Sequence, residues 1–283
     1  LTVKLEGSKK YKIHLMKKSR VYFNKITDVA YIKNNNLISQ PSIQQRNFIN
    51  KDCFENTVLR EGTPSFMKKV NGTTCSFIYS ESAKDNYWHW MFDILPKIAI
   101  LQKMVDFKKI DYFLFPGISK KFQNETLNIF KIPQKKRLSS TVYNHVYSKN
   151  LIACDHPFIS KNLVKDQKKF PKWIGTWYKK IIPLNKIKRE RHLKKIYIDR
   201  SDSKNPYRSI LNENELKKFL KSKSYKIVKL SNLSFLDQVK LFYNAKIIVG
   251  LHGAGFANIV FCRPKTKVIE LGTTKRSQNI IYY

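Results

Sequence analysis

Acidic residues are scarce in this chain. Asp and Glu number 20 among 283 residues, against 55 Lys and Arg, which leaves a net charge of +35. Charge of this sign and size favours anionic partners such as nucleic acid, acidic lipid or phosphorylated substrates. Arginine is scarce too, at ten of the 55 basic residues. A shaped reader of phosphates or bases would lean on arginine, whose planar fork binds bidentately. The lysine excess therefore reads as a compositional bias spread over the surface. A nucleic-acid-binding class rests on charge alone, and the aromatics, which sit mostly in apolar runs, argue against it. Cysteine is limited to Cys53, Cys75, Cys154 and Cys262. No pair has metal-ligand spacing, which argues against zinc, and buried thiols in a reducing compartment are the simpler account. Long hydrophobic runs are missing. Nothing approaches the roughly eighteen residues of a membrane span, and the longest candidate, Ile247 to Phe261, is broken by Gly250, His252, Gly253, Gly255 and Asn258. No secretory signal opens the chain. It starts at Leu1, not Met, so the expectation is a chain trimmed at one or both ends, where an anchor could have been lost.

What is present suffices for a core: apolar residues make up 42 % and aromatics 13 %, which excludes a disordered chain. No internal repeat is visible. The first eighty residues read as short mixed strands and loops, with a polar tract from Asn34 to Gln45. A strong helical signal runs from about Glu81 to Met104, interrupted at Leu95–Pro96, where proline should bend or end the first segment. Asp111–Pro116 reads as a buried strand, Phe122–Phe130 as a helix, and Asn144–Asp155 as one or two strands. A lysine-dense region with Pro171 and Pro183 follows, which places a domain boundary at roughly 160 to 185, with domains of 1–170 and 171–283. The last third alternates most clearly. Lys194–Arg200, Tyr225–Leu230, Lys246–Leu251 and Thr266–Leu271 read as strands. Between them lie a helix capped by Asn212 with Glu215 as capping-box partner, a helix opened by Ser234, and a third beginning in "HGAGFANIVF". That is half of a doubly wound parallel sheet, and the fold class is α/β.

In a parallel sheet, ligands bind outside the carboxyl ends of the strands, and the polar residues of the last third cluster there. "GLHGAGFAN" (Gly250 to Asn258) offers glycines for close backbone approach and a helix start for an anion, with a diphosphate as the natural guest. It lacks the G-x-G-x-x-G spacing of a dinucleotide fingerprint. The bland alternative is a tight strand-to-helix turn, though nothing in a turn requires His252. Arg200, Lys204 and Arg208 share one loop, and arginine in a lysine-dominated protein suits phosphate oxygens; the alternative is a surface loop with salt bridges. Glu270 at a strand end could accept bonds from ribose hydroxyls or be a surface carboxylate. In "NYWHWMFDILPKI" (Asn86 to Ile98), His89 and Asp93 fall on one helical face, with Trp90, Ile94 and Lys97 beside them. By itself that stretch reads as core with a satisfied polar pair.

In order along the chain, these motifs resemble glycosyltransferase family 61. The resemblance rests on Asn86, His89, Trp90, Asp93, Leu95 and Pro96; on Arg200 and Arg208 before Asn212 and Glu213; and on Gly250, His252, Gly253, Ala254, Asn258 and Glu270. It covers roughly Ser80 to Leu271. It implies a GT-B architecture, two Rossmann-like domains facing a cleft, with the acceptor on the first and a nucleotide-sugar, usually a UDP-sugar, on the second. It implies inversion at the anomeric carbon without a required metal or cofactor. Asp93 or His89 would be the base, alone or as a pair. Arg200, Arg208 and the turn His252, Gly253, Ala254 and Gly255 would hold the leaving diphosphate, and Glu270 the ribose, with Asn212 and Asn258 in the same donor-side motifs. The chain stops thirteen residues after Glu270, where relatives usually continue, so a closing helix is expected to be missing. The expected partners are the donor, a carbohydrate or glycosylated acceptor and an anionic membrane surface, not nucleic acid. The expected place is the cytoplasm, or the Golgi or ER lumen if an anchor was trimmed; the sequons at Asn71, Asn124 and Asn232 matter only there. A sugar-binding protein without turnover is the remaining alternative.

Overall fold

The computed structural model describes all residues except 6–9, 25–27, 47–48, 52, 80–81, 160–165, 167–169, 191–193, 203–208 and 273–283. The chain divides into two units, Leu1–Ile174 and Gly175–Tyr283. The division falls inside the helix Lys172–Ile181.

The first unit is built on one mixed sheet. Its strands are β1 (Thr2–Lys4), β2 (Lys10–Asn24), β3 (Asp28–Lys33), β4 (Asn36–Leu37), β5 (Ile43–Arg46), β6 (Ile49–Asn50), β7 (Lys68–Ser76), β8 (Tyr112–Phe115), β9 (Arg137–Ser139) and β10 (His145–Cys154). The order is β6-β5-β3-β2-β10-β7-β8-β9, with β1 on β2 and β4 on β3. The strands β10, β7, β8 and β9 pair in parallel, and the rest pair antiparallel. The α/β expectation is met, but the Rossmann-like one applies only to the parallel part of this sheet. The first eighty residues also differ from the short strands and loops expected of them, because β2 runs for 15 residues. Its parity hides this. Lys18 has φ 48°, which shifts the alternation, so Met16 before it and Val21 and Phe23 after it join one core with Leu114, Val146 and Leu151. Within the polar tract, Asn34 and Asn35 take φ 48° and 60°. They form the two-residue turn that pairs Lys33 with Asn36, a role asparagine fills well because it tolerates positive φ.

The second unit carries four parallel strands: β11 (Lys194–Ile198), β12 (Tyr225–Val228), β13 (Ala245–Leu251) and β14 (Lys267–Leu271). Their order is β12-β11-β13-β14. The chain leaves β11 for one edge and later returns through β13 toward the other. The loops after β11 and β13 therefore diverge at a topological switch point. The helix Phe235–Tyr243 starts as expected, with Ser234 accepting the amide of Asp237 at 3.1 Å. The helix Glu213–Ser222 does not start as expected. Asn212 sits at φ −104°, ψ 37° and makes no side-chain cap, because this backbone does not aim its oxygen at the free amides; its amide instead reaches Glu215 Oε2 at 3.4 Å. No helix of the described residues is long and apolar enough to cross a membrane.

Candidate active site

In the first unit the helical stretch begins at Asn86. Its extended backbone lets the side chain accept the amides of Trp88 and His89, at 2.9 and 3.4 Å. Tyr87–His89 runs directly into a π-helical turn, Trp90–Ile94, where the amide of Leu95 reaches the carbonyl of Trp90 at 3.1 Å. Pro96 supplies the reason. It has no N–H, and in a regular helix its ring would strike the carbonyl four residues back, at Phe92. The widened turn relieves that clash, and Pro96 then opens the helix Pro96–Leu101, where proline is tolerated. The expected bend is thus a widened turn and not a break. Such turns recur at functional sites, and this one carries Asp93.

Trp90 is fully buried and its indole donates to Thr126 Oγ1 at 3.0 Å. Asp93 is buried beside it. Its Oδ2 lies 2.7 Å from His89 Nδ1, and its Oδ1 lies 3.4 Å from Nε2 of His156, which follows β10. Nδ1 of His156 accepts the amides of Ile159 at 2.8 Å and Phe158 at 3.2 Å. The ring proton of neutral His156 is therefore on Nε2, facing Asp93. Burial pushes the Asp93 carboxyl up, but the two facing imidazoles and their hydrogen bonds outweigh it and hold it at about 2. Ionised Asp93 makes Nδ1 of His89 the donor and leaves Nε2 as the acceptor. Of the two candidates for base, the Asp93 side chain is 1 % exposed with an imidazole facing each oxygen, whereas that of His89 is 20 % exposed. Lys97, expected on a neighbouring face, is buried. Its Nζ donates to the carbonyls of Phe77 and Ile78, both at 3.2 Å, and ties the helix to the end of β7; burial lowers its pKa. The sequence reading did not single out His156. Its signal was a His-Pro pair directly after a strand, at the carboxyl end where ligands gather.

In the second unit, Asp199 and Arg200 follow β11. Burial pushes the Asp199 carboxyl up, but the amide of Ser201, at 2.8 Å from Oδ1, and Lys217, at 3.0 Å from Oδ2, hold it below the usual range. Lys217 also pairs with Glu213 at 3.4 Å, and Tyr197 donates to Glu213 Oε1 at 2.9 Å. The carboxylate of Glu213 thus locks its helix to β11. Arg200 reaches across the switch point. It donates from Nη1 to the carbonyl of His252, and a Cβ on Gly253 would stand 2.7 Å from its Cζ. Gly253 has φ 170°, which any residue adopts, so it is the close approach of the guanidinium, not the backbone, that a side chain here would disturb. His252 Nδ1 lies 2.6 Å from Glu270 Oε1, so one oxygen of the expected ribose acceptor is engaged with imidazole. Ala254 and Gly255 open a helix, Ala254–Phe261, that is 3-10 and not α. Asn258 favours the tighter turn, since its amide takes the Gly255 carbonyl at 3.2 Å. Asn258 is fully buried and also donates to Gln238 at 2.8 Å, so it braces the turn from behind.

The structure therefore gathers His89, Asp93 and His156 in one unit, and Arg200, His252, Gly253 and Glu270 in the other. Asn212 stands apart on an exposed helix start, and Arg208 and Lys204 lie outside the described residues. Among the described residues no three His, Cys, Asp or Glu side chains come together as a metal site.

An α/β chain with an oriented histidine on one unit and an arginine-backed turn at a switch point on the other has the parts of a group-transfer enzyme. Residues 87–269 match the family described as Glycosyltransferase 61, and the chain belongs to that family. A stretch of 70 residues is 43 % identical to the EGF domain-specific O-linked N-acetylglucosamine transferase of Bos taurus. It is 41 % identical to that of Rattus norvegicus and 40 % to that of Gallus gallus. In each case the stretch covers 23 % of this chain and 13 % of the relative's length.

Proposed function

We propose that the chain is an inverting glycosyltransferase that moves a sugar from a nucleotide-sugar, a UDP-sugar first of all, to a hydroxyl of a glycan, glycolipid or protein. The observation that supports it most is the family match, whose span holds both the His89–Asp93 pair and the Arg200–Gly253 turn. The reading gives the acceptor to the first unit and the donor to the second, the division of labour of a GT-B enzyme. His89 Nε2 takes the proton of the acceptor hydroxyl while Asp93 orients the ring and stabilises the imidazolium. The acceptor oxygen bonds to the anomeric carbon from the face opposite the diphosphate. The bond from that carbon to the diphosphate oxygen breaks, and its electron pair leaves with the nucleoside diphosphate. Arg200, Arg208 and the turn from His252 to Gly255 meet the charge that develops there; preorganised groups of this kind are worth about 3 to 4 kcal/mol each. Glu270 holds His252, and through its second oxygen a ribose hydroxyl. No metal is required by this scheme, and the donor is a substrate.

The relatives transfer N-acetylglucosamine by name, which makes UDP-N-acetylglucosamine the first donor to try. The surplus of basic residues suits a peripheral place at an anionic membrane where glycans are assembled; the lumen of the secretory pathway is the other location to test. A panel of nucleotide-sugars screened by thermal shift, followed by assay of nucleoside diphosphate release with acceptor, tests the reading. One donor should raise the melting temperature and be consumed only when acceptor is present. Stabilisation without turnover for every donor and acceptor would leave a sugar-binding protein instead. Tight nucleic-acid binding with a steep salt dependence, and no response to any donor, would overturn it.

A further inference from the structure

We infer that His156 is a positioning residue, which acts through Asp93 to fix the tautomer of His89 and to set its affinity for a proton. The inference rests on the proposed role of His89, and its test reads the imidazoles directly, so failure of the relay and failure of glycosyl transfer are separate results.

The geometry runs in one direction. The amides of Phe158 and Ile159 both point at His156 Nδ1. They fix the ring in the tautomer whose N–H edge faces Asp93 Oδ1 at ion-pair distance, 3.4 Å. The rings of Tyr79 and Phe158, with centroids at 4.1 and 4.7 Å, hold the imidazole in place. Asp93 thus has an imidazole at each oxygen, and its hydrogen bond goes to His89. The positive N–H edge that faces Oδ1 at 3.4 Å draws charge from Oδ2. The less charge on Oδ2, the less firmly Asp93 stabilises protonated His89. Among the described residues, the other titratable groups around this cluster include Tyr79, against His156; Lys97, held by the carbonyls of Phe77 and Ile78; and Cys75, Cys154 and Asp155 beyond Lys97.

The test uses the full chain labelled with 15N and long-range proton–nitrogen spectra of its histidines across the neutral range. In the unmodified chain His156 should carry its proton on Nε2, and neutral His89 on Nδ1. In His156→Phe the titration of His89 should move to higher pH by roughly half a unit or more, and in His156→Gln, which can still donate toward Asp93, it should return most of the way. The acid limb of the kcat profile should move with it. At neutral pH kcat should fall about tenfold with the donor KM unchanged, a fraction of the roughly 10²- to 10⁴-fold supplied by a general base. A His156 protonated on Nδ1 in the unmodified chain would overturn the inference without any variant. So would a folded His156→Phe whose His89 titrates where it did before. If the titration moves as expected while no donor is ever consumed, the relay stands and the proposed function does not.

Discussion

Among the described residues, two short histidine–carboxylate pairs of nearly equal length lie in opposite surroundings. His89 and Asp93 meet at 2.7 Å, and His252 and Glu270 at 2.6 Å. The first carboxylate is 1 % exposed and the second 25 %. Distance alone would make them equivalent. Burial does not, because an ionised carboxylate removed from water survives only if partners replace the solvent. Asp93 has imidazoles facing both oxygens and is held at about 2. Glu270 has water as a further partner, and the charge it shares with His252 is screened. The first pair is thus a preorganised device, and the second is a polar rim that a ligand can rearrange.

The sharpest way to break this comparison is to remove the buried charge and keep its shape. Asp93→Asn should lower kcat by about 10³- to 10⁴-fold, the range seen when the carboxylate behind a catalytic histidine is lost and the ring takes the wrong tautomer. Turnover with whichever donor the nucleotide-sugar panel selects measures it, with circular dichroism to show an intact fold. If kcat is retained, Asp93 is not an orienter and the first pair is only a core contact.

The same burial predicts a stability effect in acid. Asp93 is held at about 2, below the ordinary 3.8. A depressed carboxyl contributes its stability above the unfolded value and loses it as pH falls through the folded value. The loss should therefore fall between about pH 4 and pH 2 and amount to about 2 kcal/mol. Urea midpoints across that window should drop more steeply for the unmodified chain than for Asp93→Asn. Parallel curves would mean that the imidazoles do not hold the charge.

Gly253→Ala tests whether the second cluster owes its shape to backbone and not to burial. A Cβ there stands 2.7 Å from Arg200 Cζ, so the guanidinium must move off the turn. Donor affinity by calorimetry should weaken about tenfold, or roughly 1.4 kcal/mol, with little change in kcat at saturating donor. An unchanged affinity would mean that Arg200 is free to take another position at no cost.

How much of this was readable beforehand follows the same division. In the second unit, buried runs such as "KKIYI" and "AKIIVGL" and the Ser234 cap announced their elements, because parallel strands under helices are apolar on both faces. The Arg200–Gly253 approach was not readable, since it depends on which strands become neighbours. In the first unit, the His89–Asp93 pair was visible as a four-residue spacing. Its third member was not: His156 reaches Asp93 only because β10 pairs beside β7. The long β2 was masked by a parity shift at Lys18, and the failed cap at Asn212 by a backbone angle that no residue type encodes.

Glu270→Gln should have the smallest effect and complete the contrast. A glutamine can still accept from His252 Nδ1 through its amide oxygen, so the ring keeps its orientation and only the charge is lost. Because the pair is partly solvated, stability should change by less than about 1 kcal/mol. Any effect on donor binding should be a few-fold and should shrink as salt is added, since added ions already screen a charge at this depth. Adding salt should do far less to Asp93→Asn, whose lost charge lies where counterions do not reach. If Glu270→Gln instead costs as much as Asp93→Asn, with no dependence on salt, then the second pair is as preorganised as the first, and exposure is the wrong measure of the difference between them.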